Sequence, residues 1–244
     1  MKLLTTTKII TMLVGLSILL SACESTGIKP SSNITIQDRT IEDYSGIEIS
    51  TAFTVDVTFS ATEEKIEIEA NENLHAYIDV MKSGNNLVIK LKDNTNIQGN
   101  NTLKAHITTG NAIKEISVID ASVLTFNNRQ DVINVELSLS GASKFSGAIV
   151  TNALIVYLDG ASNAEIEGSA DQMNINASGA STLGSYQMNV NDVICKLSGA
   201  SQTSLTVIGS IDLTASEASV FMYKGDAQIV NLDLTGASKI VKVN

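Results

Sequence analysis

The feature that most constrains this chain is a Gly-Ala-Ser triplet that recurs through its second half at a spacing near nineteen residues. Aligned on the Ala, full copies stand at Ala142, Ala161, Ala180, Ala200 and Ala237, with degenerate members in Asp120-Ala121-Ser122 and Glu217-Ala218-Ser219. Successive Ala positions from 121 onward are separated by 21, 19, 19, 20, 18 and 19 residues. A fixed period of this length is the mark of one structural coil laid on the next.

Upstream of each Ala, apolar residues alternate in a common frame: Val135, Leu137 and Leu139; Leu154, Val156 and Leu158; Met173, Ile175 and Ala177; Val193, Cys195 and Leu197; Ile211 and Leu213; Leu232 and Leu234. Period two marks a strand with one buried face. Stacked in register, these columns form a continuous apolar interior, and each strand's backbone groups pair with the neighbouring coil. The expected fold class is therefore all-β, a parallel β-helix, right-handed by the commoner sense of parallel crossovers. Gly141, Gly160, Gly179, Gly199 and Gly236 share a column, expected at a corner that needs positive φ or lacks room for a side chain. Asp120 and Glu217 interrupt it. Glu tolerates positive φ poorly, so a local distortion or a slipped register is expected near Glu217.

Residues 34–110 alternate without the triplet: Ile47 and Ile49, Phe53 to Phe59, Ile66 and Ile68, Ile78 and Val80, then Leu87, Ile89 and Leu91. Gly84-Asn85-Asn86 falls where a hairpin turn is expected. This region is read as an N-terminal β cap or a set of irregular first coils, and residues 111–244 as the β-helical repeat.

The first 22 residues carry Lys2 and Lys8, an apolar run from Ile9 to Leu20, and small residues before Cys23. The run is too short to cross about 30 Å of hydrocarbon, so the layout is that of an export signal, residues 1–22, and no spanning segment is expected after cleavage. Leu20-Ser21-Ala22-Cys23 resembles the bacterial lipobox, which implies diacylglycerol transfer to the Cys23 thiol and cleavage before it. The attached acyl chains would anchor the chain to a membrane. Glu24 stands where an Asp would mark inner-membrane retention, which points to an exported lipoprotein of the outer membrane. Residues 23–33 then form the lipidated Cys and a polar tether with Gly27 and Pro30.

Net charge is −10, and it becomes −12 once Lys2 and Lys8 leave with the signal. Such a surface repels phosphate backbones, which excludes nucleic acid as an expected partner. Cys195 stands alone in an apolar column and reads as a small buried hydrophobe. His75 and His106 have no second His or Cys at ligand spacing, so no metal or other cofactor is expected.

Tyr44-Ser45-Gly46-Ile47-Glu48-Ile49, the Phe53 to Phe59 strand and the serial Leu-Ser-Gly-Ala-Ser coils together resemble the head GIN domain family of auto-transporter adhesins, over about residues 38–240. The resemblance implies an exported β-helical domain, common on bacterial lipoproteins, with a role in adhesion or envelope contacts. It brings no catalytic or ligand residues with it.

Two outward columns run Ser138, Tyr157, Asn176, Lys196, Thr214, Asp233 and Ser140, Asp159, Ser178, Ser198, Ser216, Thr235. Tyr157, Asn176 and Asp159 are the candidate ligand surface, suited to stacking on and hydrogen bonding a sugar. The Ser after each Ala reads first as a structural ladder at the corner, and otherwise as part of a hydroxyl surface for glycan contact. Glu136, Asp159, Asp212 and Asp233 fall in different columns or distant coils, and no nucleophile, phosphate-loop or metal-loop motif is present, so no catalytic residue is assigned. The leading expectation is a lipid-anchored envelope module that binds polysaccharide or protein. The alternative is a structural or assembly lipoprotein, and a polysaccharide-active enzyme ranks last.

Overall fold

The computed structural model describes residues 27–244. The signal segment and Cys23 lie outside the described residues. Among the latter no helix is long and apolar enough to cross a membrane. The strands are β1 (Ile34–Arg39), β2 (Gly46–Ile49), β3 (Thr54–Phe59) and β4 (Lys65–Asn71), a short 3-10 helix (Glu72–Tyr77), then β5 (Ile78–Ser83), β6 (Asn86–Leu91) and β7 (Leu103–Thr109). They continue with β8 (Glu115–Val118), β9 (Val123–Phe126), β10 (Gln130–Asp131), β11 (Asn134–Leu139) and four long strands, β12 (Lys144–Leu158), β13 (Asn163–Ala177), β14 (Thr182–Leu197) and β15 (Gln202–Ala215). The last coil is built by β16 (Val220–Lys224), β17 (Gln228–Leu234) and β18 (Lys239–Lys242).

Parallel pairing dominates, and the coils form a β-solenoid of about seven turns. The long strands turn through the body rather than lying flat. Residues 144–146 of β12 pair with β9, whereas 153–158 pair with β11. Each coil thus leaves the Gly-Ala-Ser corner along one face, here face A, bends, and returns along face B. Face A runs β1, β4, β7, β3, β9 and then the first halves of the long strands. Face B runs β5, β6, β2, β8, β11 and then their second halves.

The N-terminal region mixes both modes. The β2–β3 segment is a genuine coil, stacked on β8–β9 in parallel register. Antiparallel strands close its outer side: β4 lies between β1 and β7, and β5 hairpins onto β6 through the two-residue loop Gly84-Asn85. Gly84 has φ +59 there, as a tight turn of this length requires.

The alternating residues point where the sequence places them. Leu137, Val156, Ile175 and Leu213 are wholly buried in one column, and Cys195 sits among them at 1% exposure. Burying one such aliphatic side chain contributes about 1.5–3 kcal/mol, so the repeat supplies its own core coil by coil. Face A contributes a second inward set, Leu124, Phe145, Ile166, Leu183, Leu205 and Phe221. Phe59, Phe126 and Phe145 stack edge to face, with centroids 4.9 and 5.1 Å apart, and tie the N-terminal coil to the repeat. Gly147 leaves room for this stack, because a Cβ there would lie 2.8 Å from Phe126 Cβ.

Both reasons for glycine at the corner operate. Gly141, Gly160, Gly179, Gly199 and Gly236 have φ between +70 and +77, and a Cβ at Gly179 would meet the Gly160 carbonyl oxygen at 2.5 Å. The expected disturbance near Glu217 is absent. Glu217 adopts φ +60, Ala218 N donates to Gly199 O, and Ala237 N donates to Glu217 O. The ladder of corner hydrogen bonds holds the left-handed backbone in spite of the side chain. The same corner continues into the N-terminal coil as Thr51-Ala52, both with φ +62, and Ala52 N donates to Asp120 O.

Candidate functional site

The outward side of face B carries the residues singled out for ligand contact. Cα partners run Ser138, Tyr157, Asn176, Lys196, Thr214, Asp233 across consecutive coils, the column read from the repeat. Tyr157 is 43% exposed and Asn176 is exposed beside it. Asp159 lies at the corner end of the same face, where Ser178 Oγ donates to its Oδ1 at 2.7 Å. Hydrogen bonds from Ser178 and from the Gly160 backbone hold the Asp159 carboxyl below its ordinary pKa, so it stays ionised and oriented. Tyr157 and Asn176 are therefore adjacent on one strip, with Asp159 one outward position further along the strand from Tyr157.

On the other side of Tyr157 the face is grooved. A depression of about 440 Å³ is lined by the aliphatic Ile155, Ile194 and Val230 and by the polar Gln172, Asn174, Asp192, Ser210 and Asp212. Ile194 and Val230 are 49% and 59% exposed, uncommon for aliphatic side chains in a strand. The carboxylates are fixed by neighbours: Ser210 Oγ and Asn191 Nδ2 donate to Asp192, and Asn231 Nδ2 donates to Asp212. The register shifts at Val190/Asp192 and Ile211/Asp212, so the groove coincides with irregularities in the ladder. Sequence reasoning left Ile155, Ile194 and Asp192 aside. A signal was present: Leu154-Ile155-Val156 and Val193-Ile194-Cys195 put a third apolar residue at an outward position, breaking the alternation of the strand.

The serines after the corner Ala are turned away from solvent in every coil but the last, where Ser238 is half-buried. Ser143, Ser162, Ser181, Ser201 and Ser219 are at most 1% exposed. Ser162, Ser181 and Ser219 each donate to the carbonyl three residues back, at 2.8 Å. They close the corner from inside and take no part in an outer hydroxyl surface. Cys195 is likewise enclosed. Burial pushes its thiol pKa well above the ordinary value, which removes the thiolate a nucleophile needs.

A second polar cluster lies on face A of the N-terminal region, where long-range pairing of β3, β7 and β4 assembles it. His106 Nδ1 lies 2.6 Å from Asp56 Oδ2, and Nε2 lies 3.3 Å from Glu69 Oε2. Lys104 Nζ bonds Glu69 at 3.2 Å, and Asn127 Nδ2 donates to Asp56 Oδ1. Partial burial works against the charged ring, but the hydrogen bonds to Glu69 and Asp56 outweigh it and raise the His106 pKa. Hydrogen bonds from His106 and Lys104 lower that of Glu69. Each ring nitrogen thus faces a carboxylate, an arrangement that favours the protonated ring. Among the described residues no group of three or more His, Cys, Asp or Glu is placed to hold a metal ion.

Comparison with known proteins agrees with this architecture. No curated protein matches the sequence. The solenoid superposes on a crystal structure of a "putative adhesin" from Bacteroides fragilis with TM-score 0.80 at 20% identity, over 89% of this chain and 100% of the other. A "putative lipid binding protein" from Parabacteroides distasonis gives 0.72 at 17% identity, over 89% of this chain and 99% of the other. A "putative adhesin" from Parabacteroides merdae gives 0.66 at 15% identity, over the same shares. At these identities the likeness is one of fold. The sequence itself matches the family model described as "Putative auto-transporter adhesin, head GIN domain" across residues 43–227. That span takes in the N-terminal coil and every later coil as far as Ala227, including four of the five Gly-Ala-Ser corners, and the chain belongs to the head GIN domain family.

Proposed function

We propose that the chain is an exported, lipid-anchored binding module of the bacterial envelope that contacts polysaccharide through face B. The observation that carries this reading is the continuity of that face: the exposed Tyr157 ring and Asn176 amide border a groove whose lining combines aliphatic side chains with hydrogen-bonded Asp192 and Asp212. Exposed aliphatic side chains pack on the C–H side of a pyranose ring, and fixed amides and carboxylates donate to or accept from its hydroxyls. The adhesin description of the family supports a role in contact at the cell surface. The Leu20-Ser21-Ala22-Cys23 segment supports acylation at Cys23. The part of the expected tether from Ile28 to Asn33 is instead fastened to the body, where Ile28 pairs with Ile97, Ser31 N donates to Asn73 Oδ1 and Asn33 Nδ2 donates to Glu72.

The test is a glycan array probed with soluble protein beginning at Glu24. Binding to one coherent class of sugars, weakened by Tyr157→Ala in a folded sample, is expected. A blank array from folded protein rejects polysaccharide as the ligand and leaves an envelope protein as the partner to seek by cross-linking. Release of sugar from a polysaccharide by the purified protein would replace the binding reading with an enzymatic one.

A further inference from the structure

The two ends of the solenoid are finished differently. At the N-terminal end the interior is closed by the 3-10 helix, whose Leu74 is fully buried, and the edge strands carry charge in Asp38, Arg39, Asp79 and Lys82. Charged edges of this kind resist further pairing. The edges of the last coil also carry charge, in Asp233, Lys239 and Lys242, but nothing in residues 27–244 covers its interior. Leu213 and Ala215 are 0% and 1% exposed, whereas Leu232 and Leu234, one coil on in the same inward columns, are 45% and 37% exposed. β17 pairs with β15 and β18 with β16, and the far edge of each strand is open.

We propose that this last coil, residues 228–242, is a self-association surface on which a second copy of the chain seats end to end. The occupant must satisfy three demands together: two open edges that run in opposite directions, and the apolar interior between them. An extended peptide covers one edge and leaves the other edge and the interior bare. Another coil of the same width covers all three.

A two-fold axis lying between the faces sets β17 of one copy antiparallel to β18 of the other, and does so twice. The sequence is self-complementary under that operation. Asp233 and Lys239 lie three residues before and three after the corner glycine Gly236, both on outward positions, one on each face. The rotation places Asp233 of each copy across from Lys239 of the other. Leu232 and Ile240, four residues to either side of Gly236 and in inward columns, meet in the same way across the interior. The other two-fold arrangement, β18 on β18, gathers Lys239 and Lys242 of both copies and is disfavoured by like charge.

Analytical ultracentrifugation of protein beginning at Glu24, over a series of micromolar concentrations, tests this. A monomer–dimer equilibrium is expected. Asp233→Lys and Lys239→Glu each oppose like charges twice and should weaken it by about tenfold or more, with unchanged circular dichroism. An equimolar mixture of the two variants restores opposite charge at both contacts and should dimerise again. A folded wild-type protein that stays monomeric throughout overturns the proposal, as does a mixture no more associated than its components. Tyr157→Ala should leave the equilibrium unchanged, which separates this surface from the ligand face.

Discussion

The corner column is built in two ways along one molecule. In the repeat, glycine occupies it at 141, 160, 179, 199 and 236, and at the last four of these the carbonyl of the previous coil comes so close that a Cβ would collide. In the N-terminal coil the same left-handed position belongs to Thr51, and the side chain is put to use: Thr51 Oγ1 accepts from Leu91 N at 2.8 Å and donates to Ser50 O. One region removes the side chain so that identical coils can approach, while the other keeps it to fasten a coil to the β5–β6 hairpin. A regular stack needs only a permissive corner. An irregular junction needs partners for strand ends that no identical neighbour meets.

The comparison is broken most forcefully where the two regions join. Phe126→Ala removes the middle ring of the Phe59–Phe126–Phe145 stack and should cost about 3–5 kcal/mol. Because each coil is coupled mainly to its neighbours, urea denaturation followed by circular dichroism should also broaden or split. A single sharp transition at nearly wild-type stability would assign the coupling to the backbone ladder alone. Next in size, Gly179→Ala introduces both the left-handed penalty and the contact with Gly160 O, at a cost of about 3 kcal/mol in the same assay.

Smaller changes sharpen the contrast. Glu217→Gly relieves a strained backbone with no side-chain bond to lose, and should raise stability by about 1 kcal/mol. Thr51→Gly relieves the same strain yet forfeits the bond to Leu91, so it should give no gain. Equal gains at both sites would show that the Thr51 hydroxyl contributes nothing.

The smallest effect concerns pH and is confined to the N-terminal region. Folding raises the His106 pKa above 6.5, so its contribution is complete below that pH and is lost as pH rises through the folded-state value. Folding lowers Glu69 below 4.5, so its contribution is present above that pH and is lost as pH falls further. The cluster therefore helps most between these limits. The ring is about a third exposed, so solvent screening limits the benefit, and His106→Gln should lower Tm by on the order of 1 °C more at pH 5.5 than at pH 8. An equal shift at both pH values would mean that the ring is not a charged bridge.

Much of this was legible because a solenoid converts linear spacing into spatial adjacency. Register follows once the period is known, which is why the column from Ser138 through Tyr157 and Asn176 to Asp233 could be written from the repeat alone. The half of each coil after the Gly-Ala-Ser corner was less readable. There Phe145 stands over Gly147 and Ala164 beside Ile166, so large and small side chains compensate between coils and no simple column of aliphatics appears. Thr51-Ala52 escaped as a corner because the triplet is absent and the segment that follows, residues 60–114, is inserted before the next coil is reached.

The amino-acid sequence by itself determined the coil, its period, the buried columns and the identity of the outward residues on face B, since each depends on local alternation and a fixed repeat length. Tertiary structure decided the rest. It brought His106 between Asp56 and Glu69 across strands thirty-seven and fifty residues apart, opened the groove at the ladder irregularities beside Asp192, and left Leu232 and Leu234 uncovered. These features arise from pairing between distant segments, from bulges and from the presence or absence of a next coil, and none of them is a property of any stretch of chain read alone.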